Sequence, residues 1–212
     1  MHRSGLAAAL LFTGAALAAT IDPGQPPGLM LLVNGLPGAA NEVAKAPALD
    51  IKVRDTALTL ETTTLADVAN LLGGEINQTG ESENAWAWLC YASPDANSGG
   101  ATLTWFFAAD AGTKTLSGIA VEFAPDEVTD ACTRLDAPLD LTTGLPGLGA
   151  PVADLDSAYG KATADSGVPG TVSYMFGSRP VGNGLVSRTE AKYITGDTHI
   201  LAASVMSVVE QD

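Results

Sequence analysis

The stretch of sequence that decides the fold runs from Thr62 to Cys90 and reads TTTLADVANLLGGEINQTGESENAWAWLC. Its threonines carry hydroxyls of the kind that cap the first free amides of a helix. Apolar residues follow at helical spacing and make one stripe: Leu65, Val68, Leu71 and Leu72. The glycine pair at 73–74 is typical of a helix end. The residues from Ala85 onward then alternate with the period of a strand, so the stretch predicts a short capped helix, a glycine stop and a strand.

Alternation of apolar and polar residues continues on both sides of this stretch. Leu49–Arg54 alternates apolar and charged residues, which predicts a half-buried strand before the helix. After the helix, turn-rich loops separate three strand-like segments: Ala85–Ala92, Ala101–Ala109 and Thr115–Phe123. Consecutive strands with such connections predict an antiparallel meander. Residues 49–136 are therefore interpreted as a first unit built from one helix and one meander.

A weaker copy of the helix and its glycine stop recurs from Gly149. Three further strand-like segments follow it: Thr171–Phe176, Leu185–Thr195 and His199–Val209. Residues 137–212 are interpreted as a second unit, so the predicted fold class is α+β with two helix-plus-antiparallel-meander units in tandem. The alternative interpretation is one larger mixed sheet with two helices.

The N-terminal residues are predicted to lie outside the fold. His2 and Arg3 precede the apolar run Leu6–Leu17, and Ala16-Leu17-Ala18 fits a cleavage site. Residues 1–18 are therefore predicted to be a secretory signal peptide, and residues 19–48, rich in proline and glycine, to form an extended arm. No later stretch is apolar enough for a membrane span. The predicted location is the periplasm or the outside of the cell.

The charge of the chain restricts its partners. The 212 residues carry a formal net charge of -14. Because nucleic acid and anionic membrane surfaces are also negative, neither is expected as a partner. The charge serves either solubility or the recognition of a partner with a basic face.

The chain has two cysteines, Cys90 and Cys132. In an oxidising compartment an even number of cysteines favours a disulfide. Closing the long loop between them would stabilise the fold by roughly 4 kcal/mol in the chain-entropy model. Two free thiols or a redox pair are the alternatives, although the wide spacing does not match a C-x-x-C redox motif.

The second helix carries a short motif that resembles a known family. Gly149-Ala150-Pro151, Asp154-Leu155 and Tyr159-Gly160 resemble the helix motif of small outer-membrane-assembly lipoproteins of the SmpA/OmlA type. The tandem layout resembles the fold of the beta-lactamase inhibitory protein. The resemblance implies a periplasmic protein-binding module without catalytic residues. The chain departs from the family in lacking a lipid-bearing cysteine, so membrane anchoring is not implied, and in having Thr62 where the first copy of the motif would start with glycine.

Few residues offer catalytic chemistry. His199 is the one histidine beyond the predicted signal peptide, and it is either a polar strand-end residue or a catalyst. The sequence contains no G-x-S-x-G elbow, H-E-x-x-H motif, cysteine-histidine cluster or P-loop. We therefore predict no catalytic residue, no metal site and no cofactor. A hydrolase that uses two of the 24 acidic residues is a third hypothesis, for which no particular pair stands out.

Two sets of side chains are candidates for binding. The first is aromatic and comprises Trp86, Trp88 and Trp105, which either pack in the core or form an exposed platform for a partner. The second is basic and comprises Arg179, Arg188 and Lys192, which lie either on a solvated sheet face or on a binding face.

The predicted function follows from the tandem layout of two units and from the absence of recognisable catalytic motifs. We expect a non-enzymatic protein-binding module, of the inhibitor or envelope-assembly type, whose partner is another envelope or secreted protein. The alternative is a binder of a small ligand or glycan that uses the aromatic sheet face.

Overall fold

The computed structural model describes residues 38–45, 47–79, 85–95, 100–124, 132–164 and 167–211. Strands dominate these residues, which form twelve strands and two helices. The elements are β1 (Asn41–Glu42), β2 (Lys52–Val53), β3 (Thr56–Ala57), α1 (Leu65–Leu72), β4 (Asn77–Gln78), β5 (Ala87–Pro94), β6 (Ala101–Ala108), β7 (Gly118–Phe123), β8 (Thr133–Arg134), β9 (Leu141–Thr142), α2 (Ala153–Tyr159), β10 (Thr171–Gly182), β11 (Leu185–Thr195) and β12 (Ile200–Gln211). The predicted signal peptide and most of the predicted arm lie outside the described residues.

Nine of the strands form one sheet. Its strands lie in the order β1-β10-β11-β12-β7-β6-β5-β4, in which each strand is hydrogen-bonded to the next. Strand β8 lies outside this order and pairs with β5. The pairs β1–β10 and β5–β8 are parallel, and the remaining pairs are antiparallel. A second, small sheet has the order β3-β2-β9.

The predicted fold class, α+β with two helix-plus-meander units, is wrong. The described chain is mostly β, and its large sheet is continuous because β7 pairs with β12, from Ala202 opposite Glu122 to Met206 opposite Gly118. Period-two alternation assigns residues to faces but does not identify the neighbouring strand, and an unpaired β7 or β12 would expose a row of backbone donors and acceptors. The structure shows the alternative interpretation, one larger mixed sheet with two helices.

A glycine allows this junction to close. A Cβ atom on Gly118 would lie 2.5 Å from the Phe107 ring, 2.7 Å from Met206 Cβ and 2.7 Å from the backbone oxygen of Val205. Any larger residue would force β7, β6 and β12 apart. The small residue at the start of β7 is therefore a requirement of the continuous sheet.

The helix α1 forms where the sequence predicts it. Thr64 is the N-cap: its Oγ1 accepts a hydrogen bond from the amide of Asp67, and Asp67 Oδ2 accepts one from the amide of Thr64 at 2.9 Å. This reciprocal arrangement is a capping box. Gly73 ends the helix with a φ of 78°, in the region that favours glycine.

The two faces of the large sheet bury different clusters. The helix face is the one on which Leu65 and Val68 of α1 share a buried cluster with Leu89 and Phe106, and on which α2 packs farther along. The opposite face, which we call the tryptophan face, buries Trp88, Cys90, Trp105 and Phe107. Cys90 of this face is joined to Cys132, which confirms the predicted disulfide. Within the described residues, no helix is both long and apolar enough to cross a membrane.

Candidate functional site

A cavity of about 640 Å³ lies between the helix face of the sheet and the segment 138–149. The sheet supplies one wall with residues from β5, β6, β7, β11 and β12: Ser93, Thr102, Thr104, Ile119, Val121, Phe123, Tyr193, Ala203 and Val205. The opposite wall, which we call the roof, is the segment 138–149 and consists mainly of proline, leucine and glycine: Pro138, Leu139, Leu141, Thr143, Leu145, Pro146, Gly147, Leu148 and Gly149.

The register of the sheet explains why space remains there. One row across the helix face reads Tyr91, Thr104, Val121, Ala203 and Tyr193, from β5 through to β11. The two tyrosines at the ends of the row are large and reach the helices, whereas the three residues between them are small. We define these five residues as the floor row. The short side chains in its middle leave a gap between the parts of the molecule that α1 and α2 cover.

Each end of the floor row is fixed by a phenol. Tyr91 donates a hydrogen bond of 2.6 Å to the backbone oxygen of Gly73, at the end of α1. The Tyr193 and Tyr159 hydroxyls are 2.7 Å apart and share a hydrogen bond, which ties β11 to α2. Burial raises the pKa of Tyr193 and raises that of Tyr159 to about 12. Both phenols are therefore neutral at physiological pH.

The roof is attached to the rest of the fold on both sides of the cavity. Its strand β9 pairs with β2, and the amide of Asp50 donates to the backbone oxygen of Thr143 at 3.0 Å. At the other end, the amide of Gly149 donates to the backbone oxygen of Ile200 at 2.9 Å. Gly144 has a φ of 74° and lies so close to Ala48 that an added Cβ would be 2.5 Å from its backbone oxygen. These contacts keep the roof at a fixed height above the sheet.

The polar groups of the cavity are few and mostly neutral. Hydroxyls come from serine, threonine and tyrosine side chains, and Asp95 is the one carboxylate among the described lining residues. No lysine, arginine, histidine or cysteine is found among those lining residues. Groups of three or more metal-ligating side chains do not occur in the described part of the chain. The arrangement is suited to holding an apolar molecule by contact, with a small number of hydrogen bonds to orient it.

A second, more polar cleft of about 540 Å³ contains Glu61. The Ser187 and Ser207 hydroxyls donate to Glu61 Oε1 at 2.6 Å and 2.5 Å, and Arg179 donates to Glu61 Oε2. We call these four residues the Glu61 clasp. Although burial opposes the shift, the two serine hydrogen bonds and the positive charge of Arg179 hold the pKa of Glu61 below its usual value. The clasp connects the chain before α1 to the β11–β12 hairpin.

Two of the three predicted basic residues, Arg179 and Arg188, line this second cleft, but none of the three is without an acidic partner. Arg179 belongs to the Glu61 clasp, and Arg188 pairs with Glu42 and with Glu210, whose Oε1 lies 3.2 Å from Arg188 Nη1. The hydrogen bond from Arg188 holds the pKa of Glu42 below its usual value. Lys192 is 5% exposed, and its Nζ lies 3.4 Å from Glu190 Oε1. Each predicted basic residue therefore contacts an acidic side chain of the same chain.

The predicted aromatic residues lie together on the tryptophan face. Trp105 is 1% exposed and donates its Nε1 proton to Glu122 Oε1 at 3.1 Å. Trp88 is 7% exposed, and Trp86 is half-buried, with its ring centroid 5.5 Å from that of Phe107. Trp88 and Trp105 are therefore buried in the core, whereas Trp86 is partly exposed. His199 is exposed immediately before β12, beside the Thr198 hydroxyl.

Sequence reasoning missed the cavity. The stretch from Ala137 to Pro146 had the composition of a simple connection, and no periodic pattern marked Thr104, Val121 or Ala203 as neighbours. Their adjacency depends on the pairing of β7 with β12, which joins distant parts of the sequence. The one available signal was the run of leucines among the prolines and glycines of 138–148, because a purely solvated loop seldom carries so many apolar side chains.

Comparison of the chain with protein-family models, with curated proteins and with solved structures gave no match. The resemblance to outer-membrane-assembly lipoproteins and to the beta-lactamase inhibitory protein therefore stays a prediction.

Proposed function

We propose that this protein binds a small, mainly apolar molecule in the cavity between the helix face and the roof. The observation that carries the proposal is the size and lining of this cavity. Its volume of about 640 Å³ falls within the range of roughly 300 to 1,000 Å³ that is typical of small-molecule sites. Apolar side chains from both walls would contact the ligand, and each Å² of apolar surface removed from water contributes about 25 cal/mol.

The proposed setting is the periplasm or the cell exterior. The Cys90–Cys132 disulfide supports this, because disulfides persist in oxidising compartments. The signal peptide predicted for residues 1–18 would direct the chain there. A binder of apolar molecules in such a compartment would carry or store compounds that water dissolves poorly.

Binding of another envelope or secreted protein stays a prediction with less support. Such an interface usually presents a contiguous apolar patch. The large apolar side chains exposed on the described surface are Val181, Leu201 and Val209, and the last two lie near opposite ends of β12. The described surface therefore favours the small-molecule proposal.

Titration with Nile red, an uncharged dye that fluoresces in apolar surroundings, tests the proposal. Val121→Phe places a larger side chain in the middle of the floor row and should narrow the cavity there. We expect it to weaken dye binding by roughly tenfold, since part of the apolar contact area of the dye would be lost. Val209→Phe is the matched control, because Val209 is 53% exposed and does not line the cavity.

The two variants separate cavity binding from surface adsorption. Equal dye binding by the wild-type protein and by a folded Val121→Phe variant would overturn the proposal. A loss shared by Val121→Phe and Val209→Phe would also contradict it, because the effect would then not belong to the cavity. Thermal unfolding of both variants shows that the comparison is made between folded proteins.

A further inference from the structure

We infer that the cavity selects uncharged ligands and rejects anionic ones, such as carboxylates and sulfonates. This inference rests on the proposed function and specifies its ligand class. Many apolar molecules in cells carry an acidic head group, whereas others are uncharged. The charges that line a cavity determine which of these two classes it can bind.

The described lining of the cavity offers no positive charge to an anion. None of the described lining residues is basic, and Asp95, at one end of the cavity, is acidic. An anion that entered would lose hydration without meeting an opposite charge, and burial of an unpaired charge is strongly unfavourable. An uncharged molecule does not incur this cost.

Some of the hydrogen-bond donors near the cavity are also engaged. Backbone amides can bind anions without any basic side chain, but two amides of the roof already have acceptors within the chain. The amide of Gly149 donates to the backbone oxygen of Ile200, and that of Leu145 donates to the Thr143 hydroxyl at 3.3 Å. The Tyr193 hydroxyl shares its hydrogen bond with Tyr159. The other polar side chains of the lining include neutral threonine hydroxyls, such as those of Thr102 and Thr104.

Two dyes with the same ring system test the inference. N-phenyl-1-naphthylamine is uncharged, and 8-anilino-1-naphthalenesulfonate adds one sulfonate to the same anilinonaphthalene body. We expect the uncharged dye to bind the wild-type protein at least about tenfold more tightly than the sulfonate, given the cost of burying an unpaired charge. The net charge of the chain, -14, also repels the sulfonate from a distance. Titrations in about 1 M salt remove that contribution, because the Debye length there is about 3 Å.

A lysine placed at the cavity should reverse the preference. Gly147 lines the cavity, and a Cβ built on it meets no heavy atom within 4 Å, so Gly147→Lys is expected to fold normally. We expect this variant to bind the sulfonate several-fold more tightly in high salt, with little change for the uncharged dye. Ala66→Lys is the control, since Ala66 is exposed on α1, does not line the cavity and gains the same charge.

The outcomes distinguish the binding of apolar molecules from the selectivity for uncharged ones. Equal affinity of the wild-type protein for both dyes in high salt, with both weakened in Val121→Phe, would overturn the charge selectivity and leave apolar binding intact. Binding of neither dye would overturn the proposed function and the inference with it. Equal gains for the sulfonate in Gly147→Lys and Ala66→Lys would contradict a selectivity that originates in the cavity.

Discussion

Glu61 shows how a single residue can join two distant parts of this chain. Its backbone has a φ of 62°, which is unusual for a residue with a side chain. Its carboxylate is held in the Glu61 clasp by two serine hydroxyls and by Arg179. Strain of this kind persists only where surrounding contacts hold the residue in place. The clasp supplies those contacts.

The Glu61 clasp predicts a pH dependence of stability. The folded pKa of Glu61 is lower than its ordinary value of 4.5, so the unfolded chain takes up a proton more readily than the folded one. The stabilisation is therefore present above about pH 4.5 and is lost as the pH falls through the folded pKa. We expect Glu61→Gln to lower Tm at pH 7 and to have a smaller effect at pH 3. Thermal unfolding from pH 7 to pH 3 measures this difference.

The matched control for this titration is Glu75→Gln, which changes an exposed glutamate in the loop after α1. A difference in Tm between wild type and Glu61→Gln that stays constant from pH 7 to pH 3 would show that the charge of Glu61 does not stabilise the fold. An equal, pH-dependent effect of Glu75→Gln would mean that overall charge, rather than the clasp, is responsible.

At the scale of the element, α1 is the part of the fold that local sequence determines most completely. Its cap, its apolar stripe and its glycine end all lie within a few residues of one another, and all three were predictable. Strand β10 is the opposite case. It was predicted to end at Phe176 but continues to Gly182, with shifts of register between Phe176 and Arg179 and between Pro180 and Gly182. Irregularities of this kind depend on the partner strand and are not encoded by alternation.

The capping box of α1 makes a quantitative prediction. In Thr64→Ala, the helix loses the Thr64 hydroxyl and with it half of the reciprocal arrangement with Asp67. We expect the free energy of unfolding to fall by about 1 kcal/mol, the usual cost of removing a hydroxyl cap. Urea denaturation measures the change. Thr62→Ala serves as the control, because Thr62 is exposed and lies before the cap, and a loss of equal size there would argue against a specific role for the box.

At the scale of the whole molecule, the continuous sheet predicts one unfolding transition. All three tryptophans of the chain lie between residues 86 and 105, so their fluorescence reports on β5 and β6, whereas far-UV circular dichroism reports on all strands. Because β7 pairs with β12, we expect the two signals to change at the same urea concentration. Two separate transitions would indicate that the stretches before and after residue 136 unfold independently.

The limits of sequence reasoning have one physical origin. Strands, the disulfide and the helix α1 depend on composition or on neighbouring residues, and they were predictable. The pairing of β7 with β12 depends on which of several similar strand edges pair. The local sign of this pairing in the sequence is Gly118, where a larger residue would not fit. The cavity could not be predicted for the same reason, because Val121 and Ala203 of the floor row are adjacent only through that pairing.

The position of β12 also sets an order of events. This strand is the latest element of the described chain, yet it lies inside the sheet, between β7 and β11. While the chain is being synthesised, β7 has no neighbour on that side until residues 202–206 are present. Pairing between such distant segments is slow, and open strand edges attract other chains in the meantime. The edge of β7 is therefore exposed to such contacts for as long as β12 is missing.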